Sequence, residues 1–376
     1  MFRTSLLMLA GMTVALATAD AQAGDRALRD TLEARSLAFY KSSGTPGLAV
    51  GVWKDARVLY AKRFGERSHG EGKPITPRTV FHMASISKTF VATAILQLVE
   101  AGRVKLDDPY AGPVPYFQLK DPRSTSITVR QLLTHTAGMP DVSDYHWDTP
   151  EYDDGALDRW IRGLRDSTPI AAPGEKWEYS NIGFEALAHL VAVVSGETFE
   201  GYVKRHLLAP AGMVHSTFLM TDVDSANLAL GHESSPTGLR RAYPYNRRHA
   251  GSSTMHSSVE DMLRYGAIHA ARGAGTGPQL LSPATYDEMW KGQRDISEPC
   301  LGPAAERGNA RSAQMGLGWF LLDVDGQRVM SHDGADRGFR TAFLVSPDRH
   351  VVVVVFANST VSVCSLAIPL LGAVLR

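Results

Sequence analysis

The chain has 376 residues, with 39 Lys+Arg balanced by 39 Asp+Glu, and 44% of its residues are hydrophobic. That balance argues against a nucleic-acid partner, because phosphate recognition needs a cationic surplus gathered on one face. The hydrophobic share is that of an ordinary globular protein, and two cysteines are too few for a disulfide framework.

In chain order, the first element is leader-like. Met1-Phe2-Arg3 is a short positive start, the stretch from Ser5 to Ala19 is apolar but rich in small residues, and Ala21-Gln22-Ala23 matches an A-x-A cleavage pattern. This predicts a signal peptide over 1–23, cut after Ala23. The protein is then periplasmic or secreted, with no integral membrane span once the signal is removed. Residues 24–376 read as a single catalytic-sized composite domain. A helix is predicted from Asp25 to Lys41, carried by Leu28, Leu32, Leu37 and Phe39. Two strands, Gly47 to Trp53 and Arg57 to Arg63, flank Lys54-Asp55-Ala56 as a hairpin. Helices follow over Ser87 to Ala101, Ile182 to Ser195 and Val259 to Ala271; in the first, Val91, Ala94, Ile95, Leu98 and Val99 form one apolar stripe. Strands return at Gly316 to Leu322, Arg328 to His332, Thr341 to Val345 and His350 to Phe356. The apolar stretch from Val361 to Leu375 is short for a membrane span and predicts a terminal helix packed on the sheet. It contains Cys364, whose pairing with Cys300 is left open because sequence separation does not supply the Cα geometry.

Strands at both ends and helices between them predict an α+β fold. An antiparallel sheet from about 26–80 and 280–376 is flanked by helices and carries an inserted, mainly helical subdomain over about 81–279. The cleft between the two parts is the expected site.

Three short motifs carry the chemistry. Ser85-Ile86-Ser87-Lys88 is an S-x-x-K pattern at a helix start, where residues three apart share one face. Lys88 can therefore reach the Ser85 hydroxyl, and burial lowers a lysine pKa toward the range of a general base. Taken alone, the pattern reads better as a serine N-cap beside a solvated lysine. Tyr179-Ser180-Asn181 follows a Pro173-Gly174 turn and precedes a helix. Tyr179 is a candidate proton shuttle, and Asn181 a candidate partner for Lys88 and a substrate carbonyl. The alternative is a helix-capping Asn181 and a packed aromatic. His332-Asp333-Gly334-Ala335 lies in a glycine-rich segment at the end of a predicted strand. There the Ala335 N–H, with that of Ser85, would form an oxyanion site.

These motifs, in this order, resemble those of the β-lactamase-related serine hydrolases, the group of class C β-lactamases, D-Ala-D-Ala carboxypeptidases, D-aminopeptidases and carboxylesterases. Leu132-Leu-Thr-His-Thr-Ala-Gly138-Met-Pro140 is similar to a further hallmark loop of that group, and the similarity spans nearly the whole mature chain. The resemblance implies a β-lactamase/transpeptidase-like fold, with Ser85, Lys88 and Tyr179 catalytic and Asn181, His332, Gly334 and Ala335 lining the substrate groove. One departure stands out. Where β-lactamases have K-T-G, this chain has His332-Asp333-Gly334, which replaces a permanent cation by a mostly neutral ring and adds a carboxylate. That moves the expected substrate from β-lactams toward esters or D-amino-acid peptides, with Arg337 the nearest candidate to hold a substrate carboxylate. His135 is read as fixing its loop.

The function expected is an exported serine hydrolase working through an acyl-enzyme on a small-molecule or peptide substrate. A class C-like β-lactamase and a non-catalytic penicillin-binding or envelope module are the rivals. No cofactor or metal is expected: His82, His232, His249 and His256 lack metal-binding spacing, and neither C-x-x-C nor G-x-S-x-G occurs.

Overall fold

The computed structural model describes residues 3–233, 242–274, 277–296 and 310–376. Its strands are β1 (Gly47–Lys54), β2 (Arg57–Ser68), β3 (Lys73–Pro74), β4 (Phe81–His82), β5 (His256–Ser257), β6 (Arg294–Asp295), β7 (Ala310–Met315), β8 (Phe320–Val324), β9 (Gln327–Asp336), β10 (Phe339–Ser346) and β11 (Val351–Ala357). Among the described residues, nine of them form one antiparallel sheet in the order β3-β2-β1-β11-β10-β9-β8-β7-β6, while β4 and β5 pair separately. The chain ends meet at its centre, where β1 runs against β11 from Leu48 opposite Ala357 to Lys54 opposite Val351. This is the α+β architecture expected from the sequence.

The helices that matter for the site are α1 (Arg3–Ser43), α2 (Ser87–Glu100), α3 (Val129–Leu133), α4 (Ala156–Gly163), α5 (Asn181–Ser195), α6 (Phe199–Val203), α7 (Val259–Ala270), α8 (Pro283–Met289) and α9 (Cys364–Leu375). They cover both sheet faces, which is why β11 is apolar at every position, opening on five valines, and not an alternating strand. Val352, Val354 and Phe356 pack on the face covered by α7. Val351, Val353 and Val355 pack on the other face with Leu32 of α1 and Leu366, Leu370 and Val374 of α9. Each valine so buried contributes on the order of 1.5–3 kcal/mol of transfer free energy. Helix α7 lies very close to the sheet: a Cβ on Gly51 would meet Val259 at 2.6 Å, and one on Gly266 would meet Val352 at 2.4 Å.

Several expected boundaries shift, among them that of β2, which runs on to Ser68. The first helix runs Arg3–Ser43, so the segment predicted as helix lies inside a longer one. The strand predicted from Gly316 begins only at Phe320, because Gly318 turns at φ +75° and a Cβ there would meet Ala92 at 2.5 Å. The strand predicted to end at His332 continues to Asp336, and the tight turn falls on Arg337-Gly338, with Gly338 at φ +79°. The hairpin after β1 is as expected, with Asp55 and Ala56 both at positive φ, the geometry of a type I′ turn. The Cys300–Cys364 question falls on Cys300, outside the described residues. No single described helix is long and apolar enough to cross a membrane.

Candidate active site

Ser85 sits in a short 3₁₀ turn, Ala84–Ile86, that leads directly into α2. Ala84 takes φ +48°, a left-handed conformation that a Cβ makes unfavourable by roughly 1–2 kcal/mol. Packing holds it there. Ser87 Oγ donates to the Ala84 carbonyl at 2.7 Å, Thr341 Oγ1 on β10 donates to the Met83 carbonyl at 3.0 Å, and Gly334 lies against the same turn. A Cβ on Gly334 would meet the Met83 carbonyl at 2.3 Å and Ala84 Cβ at 3.2 Å. The third-motif glycine thus serves close approach of β9 to the turn that carries Ser85.

One turn on, Lys88 is fully buried. Its Nζ donates to Ser85 Oγ at 3.0 Å, Asn181 Oδ1 at 2.7 Å and the Ser252 carbonyl at 2.9 Å, which uses all three ammonium hydrogens. It also lies 5.0 Å from the Tyr179 ring centroid. Burial brings its pKa down to about 7, against the pull of the carboxylates of Asp141, Glu185, Asp336 and Asp333. The solvated-lysine alternative is therefore the wrong description of Lys88.

The second motif stands on α5. Ser180 caps this helix by accepting from the Gly183 N–H at 3.1 Å, which leaves the Asn181 side chain free for Lys88. Asn181 is oriented by Asp141, whose Oδ1 accepts from both its backbone N–H at 2.9 Å and its Nδ2 at 3.0 Å. The Tyr179 phenol shares a hydrogen bond with Ser85, and burial pushes its pKa far up, so it enters the site protonated. His135 stacks on Tyr179 at 4.4 Å and accepts from the Ser180 N–H at its Nδ1. Burial and the nearby Lys88 push its pKa well down, so it is neutral. It holds the motif in place, as expected for the hallmark loop.

The third motif forms the opposite wall. Pairing of β9 with β8 stops at Ser331, opposite Phe320, while pairing with β10 continues to Asp336. The free edge of 332–336 opens on a cavity of about 190 Å³ shared with Ser85, Tyr179 and Asn181. His332 is buried, its Nδ1 held 2.7 Å from the Asp333 carbonyl, and burial brings its pKa down to about 3. It supplies no cation. Asp333 lines the cavity, and burial raises its pKa to about 6. Asp336 also lines the cavity and is held by His82 Nε2 at 2.8 Å.

Of the residues singled out by sequence, Ser85, Lys88, Tyr179, Asn181, His332, Gly334 and Ala335 converge here, and Ser85 and Ala335 face one cavity. Arg337 does not. It is exposed at the β9–β10 turn, its guanidinium 5.3 Å from the Trp147 ring centroid, and it is absent from the cavity lining. A hairpin turn aims its side chains away from the strand edge.

Sequence reading missed Asp141, Ser252, Glu185, Tyr145 and Thr341. Asp141 directly follows the hallmark loop, and Glu185 stands one turn after Asn181, so spacing carried a signal for both. Glu185 is fully buried and accepts from His249 Nδ1 at 2.7 Å, Ser252 Oγ at 2.8 Å and Trp160 Nε1. It thereby fixes the residue whose carbonyl holds Lys88. Ser252, Tyr145 and Thr341 are brought in only by tertiary packing.

The family described as Beta-lactamase matches residues 25–367, and the chain belongs to it. Protein flp of Staphylococcus aureus (strain MW2) is 26% identical over 83% of this chain, which spans only 59% of that protein's length. Penicillin-binding protein 4 of Amycolatopsis lactamdurans is 28% identical over 84% of this chain and 82% of its own. The octameric penicillin-binding protein homologue of Pyrococcus abyssi superposes with a TM-score of 0.79 at 26% identity, covering 92% of this chain and 77% of that one. A class C beta-lactamase (TM-score 0.75, 20% identity, 92% and 95% coverage) and the hydrolase EstCE1 (0.73, 21%, 94% and 99%) share the fold. Members of the family are generally serine hydrolases.

Proposed function

We propose that this protein is an exported serine hydrolase that cleaves ester or D-amino-acid amide bonds through an acyl-enzyme on Ser85. The observation that carries this reading is Lys88 Nζ at 3.0 Å from Ser85 Oγ, with burial placing its pKa near neutrality. Near pH 7 a large fraction of Lys88 is then the free amine, able to take the Ser85 proton as Oγ attacks. Backbone N–H groups of Ser85 and Ala335 receive the developing oxyanion. Tyr179, protonated and bonded to Ser85, passes a proton to the leaving group and recovers one from Lys88. Water then attacks the acyl-enzyme with Lys88 as base. The raised Tyr179 pKa supports this order over one in which a phenolate is the deacylation base.

The wall formed by His332, Asp333 and Asp336 supports an ester or peptide substrate over a β-lactam, because among the described residues no lining cation stands ready for the β-lactam carboxylate. Export rests on the leader-like pattern over 1–23.

A fluorescent fluorophosphonate should label the purified protein and fail to label Ser85→Ala. Short p-nitrophenyl esters should turn over while a chromogenic cephalosporin stays intact. Preferential cephalosporin hydrolysis would replace this reading by the β-lactamase one, and absent labelling and turnover would leave a binding module.

A further inference from the structure

Resting on that hydrolase reading, we infer that the cavity selects substrates carrying an organic cation, a protonated amine or quaternary ammonium, and that Asp333 is the carboxylate that recognises it.

The charged side chains among the described lining residues are Asp333 and Asp336, both acidic. Asp336 is already engaged by His82 at 2.8 Å. Asp333 has no such partner: its carboxylate accepts from the backbone N–H of its own residue, and among the described residues it makes no salt bridge and no side-chain hydrogen bond. Two cations stand near it and act on it through space, and neither is hydrogen-bonded to it. Lys88 spends its three hydrogens on Ser85, Asn181 and Ser252. Arg340 on β10 donates to the carbonyls of Asp336 at 2.8 Å and Phe339 at 2.7 Å. The neighbouring His332 ring is buried and bonded to a backbone carbonyl.

A carboxylate drawn out of water with only one backbone hydrogen bond is unfavourable, and a ligand ammonium offsets that by pairing with it. Burial raises the Asp333 pKa to about 6, the direction expected of an anion waiting for a counter-charge. The rest of the lining suits the same guest. Tyr145, Tyr179 and Phe320 give the cavity aromatic surface, which attracts organic cations. An anionic substrate meets two carboxylates there and is repelled.

The test uses the purified full chain and matched probes. On the leaving-group side these are acetylthiocholine, its neutral isostere S-(3,3-dimethylbutyl) thioacetate and the anionic 3-(acetylthio)propanoate. On the acyl side they are D-alanine p-nitroanilide and its N-acetyl derivative. Each kcat/KM is divided by the probe's hydroxide rate. The expected result is about a tenfold or greater preference for the cation over its neutral partner in at least one series, the size of a charge-assisted contact. The anionic probe should be slowest. Asp333→Asn should bring the ratio to near one.

The ratio in wild-type protein should also fall as pH drops through about 6, where Asp333 takes up a proton. Using a ratio cancels the protonation of Lys88, common to all probes; Arg340, Asp336, Tyr179 and His332 are the other titratable groups facing Asp333. This pH series needs no variant, so it decides the matter even where Asp333→Asn fails to fold. Ratios near one in both series, or a preference that survives Asp333→Asn or pH 5, overturn the inference. If neutral thioester turnover and Ser85-dependent labelling persist without cation preference, this inference alone fails. If no probe turns over and nothing labels, the hydrolase reading fails with it.

Discussion

The two walls of the cavity are built on opposite plans. On the α2–α5 wall the groups around Ser85 are tied to one another: Lys88 makes three hydrogen bonds, Asn181 is held by Asp141, and Glu185 accepts from three donors. On the β9 wall, among the described residues, His332 Nε2 is buried without a partner and Asp333 faces the cavity with no ion-pair partner. A satisfied buried network holds the reacting atoms in one geometry. An unsatisfied wall leaves bonds for a ligand to make. The comparison assigns chemistry to one side and selection to the other.

The sharpest way to break that division is to remove the base. Lys88→Ala should lower ester kcat/KM by about 10³-fold or more, the range seen when a general base is lost. A loss under tenfold would move the base elsewhere. Next is the seam between the walls. Gly334→Ala puts a methyl 2.3 Å from the Met83 carbonyl, so the nucleophile turn must shift. About a hundredfold loss in kcat is expected with a lowered Tm, since small misplacements of reacting groups have effects of that order. Unaltered kcat would show that the β9 approach does not position Ser85.

Smaller effects separate positioning from electrostatics. Asp141→Ala frees the Asn181 amide and removes a carboxylate that raises the Lys88 pKa. A loss of about tenfold in kcat/KM is expected, consistent with one strong buried hydrogen bond. Glu185→Gln keeps the shape and removes charge. Neutral Lys88 is the active form, so the acid limb of kcat/KM lies near pH 7 and activity rises through it. Without the Glu185 charge the ammonium is less favoured, and the limb should move down by roughly 0.5–1 pH unit. A limb that moves up, or stays fixed while activity falls, would make Glu185 a packing group only.

The contrast also explains what could be read beforehand. Ser85 and Lys88 are local, three residues apart on one helical turn, and Tyr179 and Asn181 sit at a helix start that Pro173-Gly174 announces. Local geometry is written in spacing, so these residues were legible, as was the sheet assembled from both chain ends. Arg337 was misplaced because proximity in sequence to a strand end says nothing of where the hairpin turns. The early end set for β9 has the same origin: glycines at 334 and 338 suggested a loop, whereas only Gly338 turns and Gly334 serves close packing.

By itself, then, the sequence determined the elements, the order of the motifs and the candidate nucleophile, because hydrophobic period and short-range spacing act within a few residues. Tertiary structure alone decided that Lys88 is dry, that Glu185 reaches it through Ser252 and that Asp333 faces the cavity with no ion-pair partner among the described residues. Those are properties of burial and of contacts between residues many tens of positions apart, and no local pattern encodes them.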